Sequence, residues 1–162
     1  MMTDPAKLPY RPCVGIMILN KKGEIFVAKR IDTMVEAWQM PQGGIDEGED
    51  ATETAFREME EEIGTRNADI ISSHEGWLSY DLPDHLIGKV WKGKYRGQRM
   101  KWFLMQYLGQ DSDININTDH PEFSEWKWIS IDDLVQSIVE FKRPLYTQLV
   151  AHFGPTVKAR QQ

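Results

Sequence analysis

Three glutamates in the segment 51–63 have the spacing that puts side chains on one side of a helix. Glu58, Glu61 and Glu62 are three and four residues apart, so on a helix they share an arc of about 100°. Like charges at this spacing repel, and the negative end of the helix dipole adds to the repulsion. A bound divalent cation removes both costs. The cluster is therefore a candidate Mg²⁺ site, and an acidic, solvated helix face is the alternative interpretation.

The residues on either side of these glutamates indicate where the helix begins and ends. Residues 35–48 contain one proline and three glycines and are predicted to form a loop rather than a regular element. Asp50 and Glu53 fit a capping box, and Gly64 is a stop signal. A helix is therefore predicted over residues 51–63.

The remaining faces of this helix also have a pattern. Apolar residues recur every four positions in a stripe formed by Ala51, Ala55, Met59 and Ile63 and widened by Phe56. This stripe is expected to pack on a sheet. Arg57 is expected to form ion pairs with Glu53 and Glu61, each four residues away.

Strand and helix patterns are interleaved along the rest of the chain. The predicted strands cover residues 14–19, 24–29, 75–80, 101–108 and 126–131. Asp132 is expected to cap a helix through about Val139, and Pro144 to open a final helix that ends near Gly154. Trp126 and Trp128 are expected to face the core together. This order predicts one α/β domain over residues 1–162, an α/β/α sandwich with a mixed sheet between helices.

The composition argues against several classes of protein. Cys13 is the only cysteine, so neither an intramolecular disulfide nor a multi-cysteine zinc site is expected. The chain lacks a long apolar run and an apolar leader, which predicts a cytoplasmic protein without membrane contact. The net charge of −6 argues against wholesale binding to nucleic acid, DNA included, through a basic surface, but it does not exclude a phosphorylated substrate met by local cations or a metal. Residues 1–8 and 155–162 are expected to be mobile.

The stretch 43–65, GGIDEGEDATETAFREMEEEIGT, resembles the Nudix box, in which a glycine, a glutamate, an Arg-Glu pair and a Glu-Glu pair recur at fixed spacing. The matching positions are Gly43, Glu49, Arg57, Glu58, Met59, Glu61, Glu62 and Gly64. Thr65 departs from the pattern, since the family usually has a bulkier aliphatic residue there, and this departure concerns packing more than chemistry. The resemblance implies a hydrolase that cleaves phosphoanhydride bonds.

The resemblance also implies which residues hold the metal. Glu58 and Glu62 are implied as the main ligands of Mg²⁺ or Mn²⁺, with Glu61 binding directly or through water. The carbonyl of Gly43 is implied as a further ligand, because a glycine lets the backbone approach closely. The metal is implied to polarise the phosphoryl oxygens and to lower the pKa of an attacking water.

Three further residues are implied to support this chemistry. Arg57 is implied to orient the carboxylates. Glu49 is implied to hold the loop to the helix or to bind a further metal. Glu122 is implied as a metal ligand or general base, and it completes the catalytic set together with Arg57 and the three box glutamates.

Segments outside the box resemble the bacterial RNA pyrophosphohydrolase branch of the family, which includes dinucleoside polyphosphate hydrolases. These segments are YRPCVGI, WQMPQGGI, KWFLMQ, PEFSEWKW and FKR, and the resemblance extends over about residues 10–153. It implies a substrate with a 5′-triphosphate or diphosphate RNA end, which is converted to a monophosphate and opened to decay.

This branch also implies where the substrate binds. Arg11 and Arg30 are implied to contact the phosphates or first nucleotides, and Val139, Phe141 and Lys142 to clamp a base with Arg30. Each has an alternative interpretation: Phe141 as an anchor of the last helix, and the arginines as surface charges. Lys101 and Arg143 are further cations available to a polyphosphate, and a surface position is the alternative interpretation of Lys101. Tyr80 is compatible with an RNA groove or with packing.

Three functions are compatible with these features. The leading hypothesis is hydrolysis of RNA 5′ ends, and the second is hydrolysis of diadenosine polyphosphates, since the same groups handle either substrate. The third is a Nudix-like module that binds a nucleotide without cleaving it. The presence of Glu58, Glu61 and Glu62 weighs against this third function.

Overall fold

A sheet of eight strands forms the centre of the molecule. The computed structural model describes residues 4–32 and 36–161. The strands are β1 (Tyr10–Leu19), β2 (Ile25–Arg30), β3 (Trp38–Gln39), β4 (Gln42–Gly44), β5 (Ala68–Ser73), β6 (Leu78–Asp81), β7 (Gly97–Tyr107) and β8 (Phe123–Ile129). The helices are α1 (Ala51–Ile63), α2 (Leu134–Ser137) and α3 (Arg143–Arg160), with short 3₁₀ turns between elements.

The sheet is mixed, as predicted. β1 pairs with β7 in parallel along its whole length, while the other strand pairs are antiparallel. The main order is β3-β2-β1-β7-β5, with β4 on β1, β6 on β7 and β8 on β2. The start of β1 and the end of β2 lie at the same end of this antiparallel pair, next to β4. The glycines of β4, which lead into the loop before α1, are therefore brought close to Arg11 and Arg30.

Both faces of the sheet are covered, which confirms the α/β/α layering. Side chains alternate along β1, so Cys13 and Met17 join the core beneath α2 and α3 while Val14 and Ile16 join the core beneath α1. Trp126 and Trp128 share one side of the sheet as predicted, and this is the α1 side. They are half-buried at the margin of the core, where Trp126 stacks on Phe26.

Helix α1 has the predicted limits and signals. The Asp50 side chain accepts a hydrogen bond of 2.8 Å from the Glu53 backbone N–H. Gly64 closes the helix in the left-handed region, at φ 79°, and its N–H donates to the Glu60 carbonyl. The apolar stripe is buried at its centre, where Ala55 and Met59 have no exposed surface. Packing on the sheet therefore fixes which way the glutamates point.

Two predictions about strands were wrong. The segment 35–48 contains β3 and β4 rather than loop alone, and its residue 35 lies outside the described residues. These short strands exist because β2 and β1 supply their hydrogen-bond partners, which local sequence does not reveal. β5 was missed and the strand predicted at 75–80 is β6. The β5 segment ADIISS has two adjacent isoleucines but no regular alternation of apolar and polar residues, and the strand lies at the end of the sheet order.

The last third of the chain also corrected two predictions. Ser130, not Asp132, caps the turn before α2, which covers four residues only. Helix α3 begins near Pro144 as predicted but continues through Gly154 and Pro155. An internal proline costs about 3 kcal/mol, and burial of Phe153 and Val157 on either side offsets it. Residues 155–160 are therefore helical rather than a mobile end.

The N-terminal prediction is tested only in part, because residues 1–3 lie outside the described residues. Pro5–Lys7 forms a 3₁₀ turn. Within residues 4–32 and 36–161, none of the helices combines the length and apolar character needed to cross a membrane.

Candidate metal and phosphate site

Two of the three predicted metal ligands on α1 are buried against β4. Glu58 and Glu62 are 8% and 2% exposed, whereas Glu61 is exposed. Glu62 accepts a hydrogen bond of 3.1 Å from the Gln42 backbone N–H. A Cβ atom added to Gly43 would overlap the Glu58 carboxyl carbon. A glycine is therefore required here, since any side chain would displace the carboxylate.

Burial makes these carboxylates costly in the absence of a cation. Loss of solvent raises the pKa of Glu58 to about 7, despite the opposing charge of Arg57. Loss of solvent, followed by the charges of Glu122 and Glu58, raises the pKa of Glu62 well above its ordinary range. Glu62 Oε1 is buried without a hydrogen-bond partner among the described residues.

This donor set fits a hard divalent cation. Carboxylate oxygens are the ligands that Mg²⁺ and Mn²⁺ prefer, and a cation would satisfy the unpartnered Glu62 oxygen. Among the residues described, no three His, Cys, Asp or Glu side chains yet converge as ligands. Glu61 is not directed towards Glu58 and Glu62, because its carboxylate forms an ion pair with the Arg57 guanidinium at 3.1 Å.

Arg57 connects the helix to the glycine loop. Its guanidinium donates to Glu49 Oε2 at 2.7 Å, to the Gly44 carbonyl at 2.9 Å and to Glu58 Oε1 at 3.0 Å. The hydrogen bond from Arg57 holds the pKa of Glu49 at about 2. The predicted ion pair with Glu61 is present, but the one with Glu53 was wrong: among the described residues, Arg57 turns to the loop carboxylates instead.

Glu122 immediately precedes β8 and faces the acidic helix. Its carboxylate lies close enough to Glu62 to contribute to the raised pKa of that residue. On its other side, its Oε2 is 3.8 Å from Arg30 Nη1. The Glu122 backbone carbonyl accepts from the Ile31 N–H at 2.9 Å, which ties this loop to the end of β2. Glu122 thus lies between the carboxylates and the cations.

One cavity of about 660 Å³ collects most of the predicted site residues. Its lining includes Arg11, Arg30, Gly43, Glu58, Tyr80, Glu122, Val139, Phe141 and Lys142. Glu61 and Glu62 line an adjoining cavity of about 350 Å³, with Glu122 common to both. Arg57 is in the lining of neither cavity. Lys101 and Arg143 line neither cavity: Lys101 lies over the Trp77 ring, which agrees with its surface interpretation, and Arg143 donates to backbone carbonyls.

Cations and aromatic rings form the wall opposite the carboxylates. Lys142 is buried, and burial together with the neighbouring Arg30 lowers its pKa to about 8. Its Nζ lies 5.3 Å from the centre of the Tyr80 ring, and that ring is 5.8 Å from Phe141. Tyr80 is buried and donates to Gln98, so it both packs in the core and lines the cavity. Phe141 is half-buried against the core, which accommodates both of its interpretations.

The sequence interpretation missed one wall of this cavity. Leu86, Val90 and Trp91 line it, and all belong to the connection between β6 and β7. The Arg11 guanidinium lies 5.6 Å from the centre of the Trp91 ring. The signal available was the run KVWKGKYR at 89–96, in which lysines alternate with aromatic residues outside any predicted element.

Comparison with known proteins identifies the family of this site. The profile of the NUDIX domain matches residues 9–149. The chain belongs to the Nudix family. Among similar Nudix proteins, an RNA pyrophosphohydrolase of Sphingopyxis alaskensis is 56% identical over 158 residues, which are 96% of this chain and 100% of that protein. One of Rhodospirillum rubrum is 59% identical over 149 residues, 92% of this chain and 90% of that protein. The predicted branch and the prediction of a Nudix pyrophosphohydrolase are confirmed.

Solved structures show the same Nudix fold at low identity. The E. coli dihydroneopterin triphosphate pyrophosphohydrolase superposes with a TM-score of 0.68 at 19% identity, covering 89% of this chain and 99% of that one. A C. elegans Ap4A hydrolase binary complex gives a TM-score of 0.63 at 23% identity, covering 90% and 98%. The predicted fold class is confirmed.

Proposed function

We propose that this Nudix hydrolase converts the 5′-triphosphate or diphosphate end of RNA to a monophosphate, which opens the transcript to decay. The observation that carries the proposal is a cavity lined by the carboxylates of Glu58 and Glu122 on one wall and by cations and aromatic rings on the other, next to the smaller cavity that Glu62 lines. The phosphates of a polyphosphate end would lie between a metal on the carboxylates and the cations opposite, and the first bases of the RNA would contact the aromatic rings. The names of the relatives at 56% and 59% identity support the same substrate class.

Glu58 and Glu62 would hold Mg²⁺ or Mn²⁺, with Glu61 and the Gly43 carbonyl as further ligands. Support comes from the unpartnered Glu62 oxygen and from the close approach of Gly43 to Glu58. When bound, the metal supplies polarisation of the phosphoryl oxygens and a lowered pKa for the attacking water. Arg57 acts as a positioning residue, because it fixes Glu58 to the glycine loop.

The reaction exchanges one bond for another. The oxygen of water forms a bond to a phosphorus atom of the 5′ end, and the bridging P–O bond of the phosphoanhydride breaks. The electron pair of the broken bond stays on the bridging oxygen, which leaves with the phosphate group that water did not attack. Glu122 faces the main cavity at the junction of the acidic and basic walls, and it accepts the proton of the water in this proposal.

The opposite wall binds and orients the substrate. Arg11, Arg30 and Lys142 balance the phosphate charges. An anionic ligand is favoured because it compensates the buried charge of Lys142. Phe141, with Val139 and Tyr80 beside it, holds a base by stacking and apolar contact. These roles explain why a protein with a net charge of −6 attracts a polyanion at one place.

Diadenosine tetraphosphate is the competing substrate, because it presents the same phosphates and a stackable base. The test is product analysis on 5′-triphosphate RNA and on diadenosine tetraphosphate, side by side, with Mg²⁺ or with a chelator. We expect metal-dependent formation of 5′-monophosphate RNA with the higher kcat/KM. Intact triphosphate RNA alongside cleaved diadenosine tetraphosphate would instead assign the enzyme to the second substrate.

A further inference from the structure

The connection between β6 and β7 forms a closed loop beside the cavity. This segment, residues 82–96, is named the basic loop. The Leu82 N–H donates to the Arg96 carbonyl at 2.8 Å, which brings the two ends together. Turns inside the loop are closed by further backbone hydrogen bonds, such as that from Gly93 to the Val90 carbonyl at 2.9 Å. A compact surface loop of this length with its ends joined is a frequent carrier of binding residues.

One side of the basic loop is anchored. Leu86, Val90 and Trp91 pack against the core beneath α3, and the same three residues line the cavity. Trp91 and Lys92 have φ of 50° and 58°, a region that bulky residues rarely adopt. Such strain persists where the surrounding packing enforces it, and it is concentrated at binding sites. Here it turns Trp91 towards the cavity and Lys92 to solvent.

The other side of the basic loop carries free positive charge. Lys89, Lys92 and Lys94 are exposed, and within the described residues none of them has a carboxylate within salt-bridge distance. Arg96 differs, since it is paired with Asp81 at 3.1 Å. Residues 85–110 contain no aspartate or glutamate. In a chain of net charge −6, three unpaired lysines beside the substrate cavity form a local cationic surface.

We infer that the basic loop binds the RNA chain beyond its first nucleotides, with Lys89, Lys92 and Lys94 contacting backbone phosphates. The inference rests on the proposed function, because it extends the same substrate out of the cavity past Trp91. Each nucleotide of RNA adds one phosphate, so a longer RNA reaches more lysines. Diadenosine tetraphosphate has no such extension, which makes the basic loop a source of preference for RNA over that substrate.

The test compares chain lengths in a variant without the three charges. Lys89→Gln/Lys92→Gln/Lys94→Gln is compared with Lys21→Gln/Lys22→Gln/Lys158→Gln, which removes the same charge near the β1–β2 turn. That turn is roughly 30 Å from Arg11 along β1, by the rise of a strand. Values of kcat/KM are measured for triphosphate RNAs of two and twelve nucleotides at several salt concentrations. Binding of a twelve-nucleotide monophosphate RNA is followed by fluorescence anisotropy, which needs no catalysis.

The expected result concerns the ratio of kcat/KM for the long RNA over the short one. We expect a ratio of about ten for the unmodified enzyme and for the control, and near one for the loop variant. The slope of log affinity against log salt is negative, and its magnitude should fall by about 2 in the loop variant only, since each phosphate contact on a single strand contributes about 0.7. Equal ratios and slopes in all three proteins would overturn the inference. That is also the result expected if the three lysines bind a protein rather than RNA.

The two proposals fail in different ways. If the unmodified enzyme binds the twelve-nucleotide RNA with the lysine-dependent slope but leaves the triphosphate intact, the proposed function is wrong and the contact between the basic loop and RNA stands. If it removes the 5′ phosphates equally well from both lengths, the proposed function stands and the inference is wrong.

Discussion

The two walls of the cavity present opposite electrostatic problems. On the α1 wall, burial raises the pKa of Glu58 and Glu62, and a Glu62 oxygen has no partner in the described parts of the chain. On the opposite wall, burial lowers the pKa of Lys142 to about 8. Each wall therefore has a charge that its own surroundings do not balance. Arg57 compensates part of the charge on the first wall, and Asp32 pairs with Arg30 on the second. Glu62 and Lys142 are therefore the groups that a metal-bound polyphosphate would relieve.

The walls also differ in how the chain builds them. The acidic wall comes from one continuous stretch, residues 43–62, while the basic wall joins the start of β1, the end of β2 and the segment 139–142. If the acidic wall carries the chemistry and the basic wall carries the affinity, changes on the two walls should act on different kinetic constants.

The largest effect should come from Glu62→Gln. This change removes a metal ligand while keeping the side-chain shape and its acceptor for the Gln42 N–H. The metal lowers the activation barrier by several kcal/mol. We therefore expect kcat to fall roughly 10³-fold, at about 1.4 kcal/mol per tenfold change in rate. Thermal stability should not fall, because a buried charge is lost. Steady-state kinetics and a melting curve measure both.

Glu53→Gln is the matched control for that variant. Glu53 is exposed on the first turn of the same helix and is not one of the box positions. It should keep nearly the full kcat. Undiminished hydrolysis by Glu62→Gln would remove the basis for assigning the metal to this wall.

Arg57→Lys should have the next largest effect. A lysine retains the charge but cannot reach Glu49, Glu58 and the Gly44 carbonyl at once. Loss of such an orienting partner costs about 10–100-fold in metal affinity or activity. We expect the Mg²⁺ concentration for half-maximal rate to rise. Arg66→Lys, at an exposed ion pair with Glu60, should leave it unchanged, and equal shifts in both variants would contradict the positioning role.

The same contrast explains how much of the site the sequence could predict. The acidic wall could be predicted from the sequence because its residues follow a helical period and a fixed spacing, and α1 has the predicted limits. The ion pair between Arg57 and Glu53 was predicted wrongly, since helical spacing does not reveal that Glu49 and Asp46 approach from the loop. Local rules therefore described the helix well and its loop less well.

The basic wall needed long-range pairing, which the sequence does not supply by period alone. Arg11 and Lys142 line one cavity because β1 pairs with β7 while α3 packs beneath the sheet. Resemblance proposed both residues, but Trp91 had no motif and was missed. The extension of α3 past Pro155 was missed for a related reason, because tertiary burial of Val157 overrides the local signal to stop.

Phe141→Leu should act on the affinity side of the comparison. Leucine keeps apolar packing against the core but removes the ring that faces the cavity. Stacking is worth about 1–3 kcal/mol per base, so we expect KM for triphosphate RNA to rise about tenfold, with kcat changed by less than about threefold. Trp77→Ala, at an exposed ring outside the cavity, should change neither constant. A fall in kcat without a change in KM would mean that Phe141 acts on the chemical step rather than on substrate affinity.

Lys142→Met should have the smallest effect, and it is visible without substrate. The folded pKa is about 8 against the ordinary 10.5, so between these values the unfolded chain binds more protons and stability rises with pH. Methionine removes the buried charge, so we expect a gain of about 1 kcal/mol at pH 7, or about 3 °C in Tm. The gain should shrink from pH 8 towards pH 10.5, because lysine then becomes neutral in both states. Lys158→Met, at an exposed position, should show no gain, and a gain for Lys142→Met that is independent of pH would mean that packing, not charge, sets the cost of this wall.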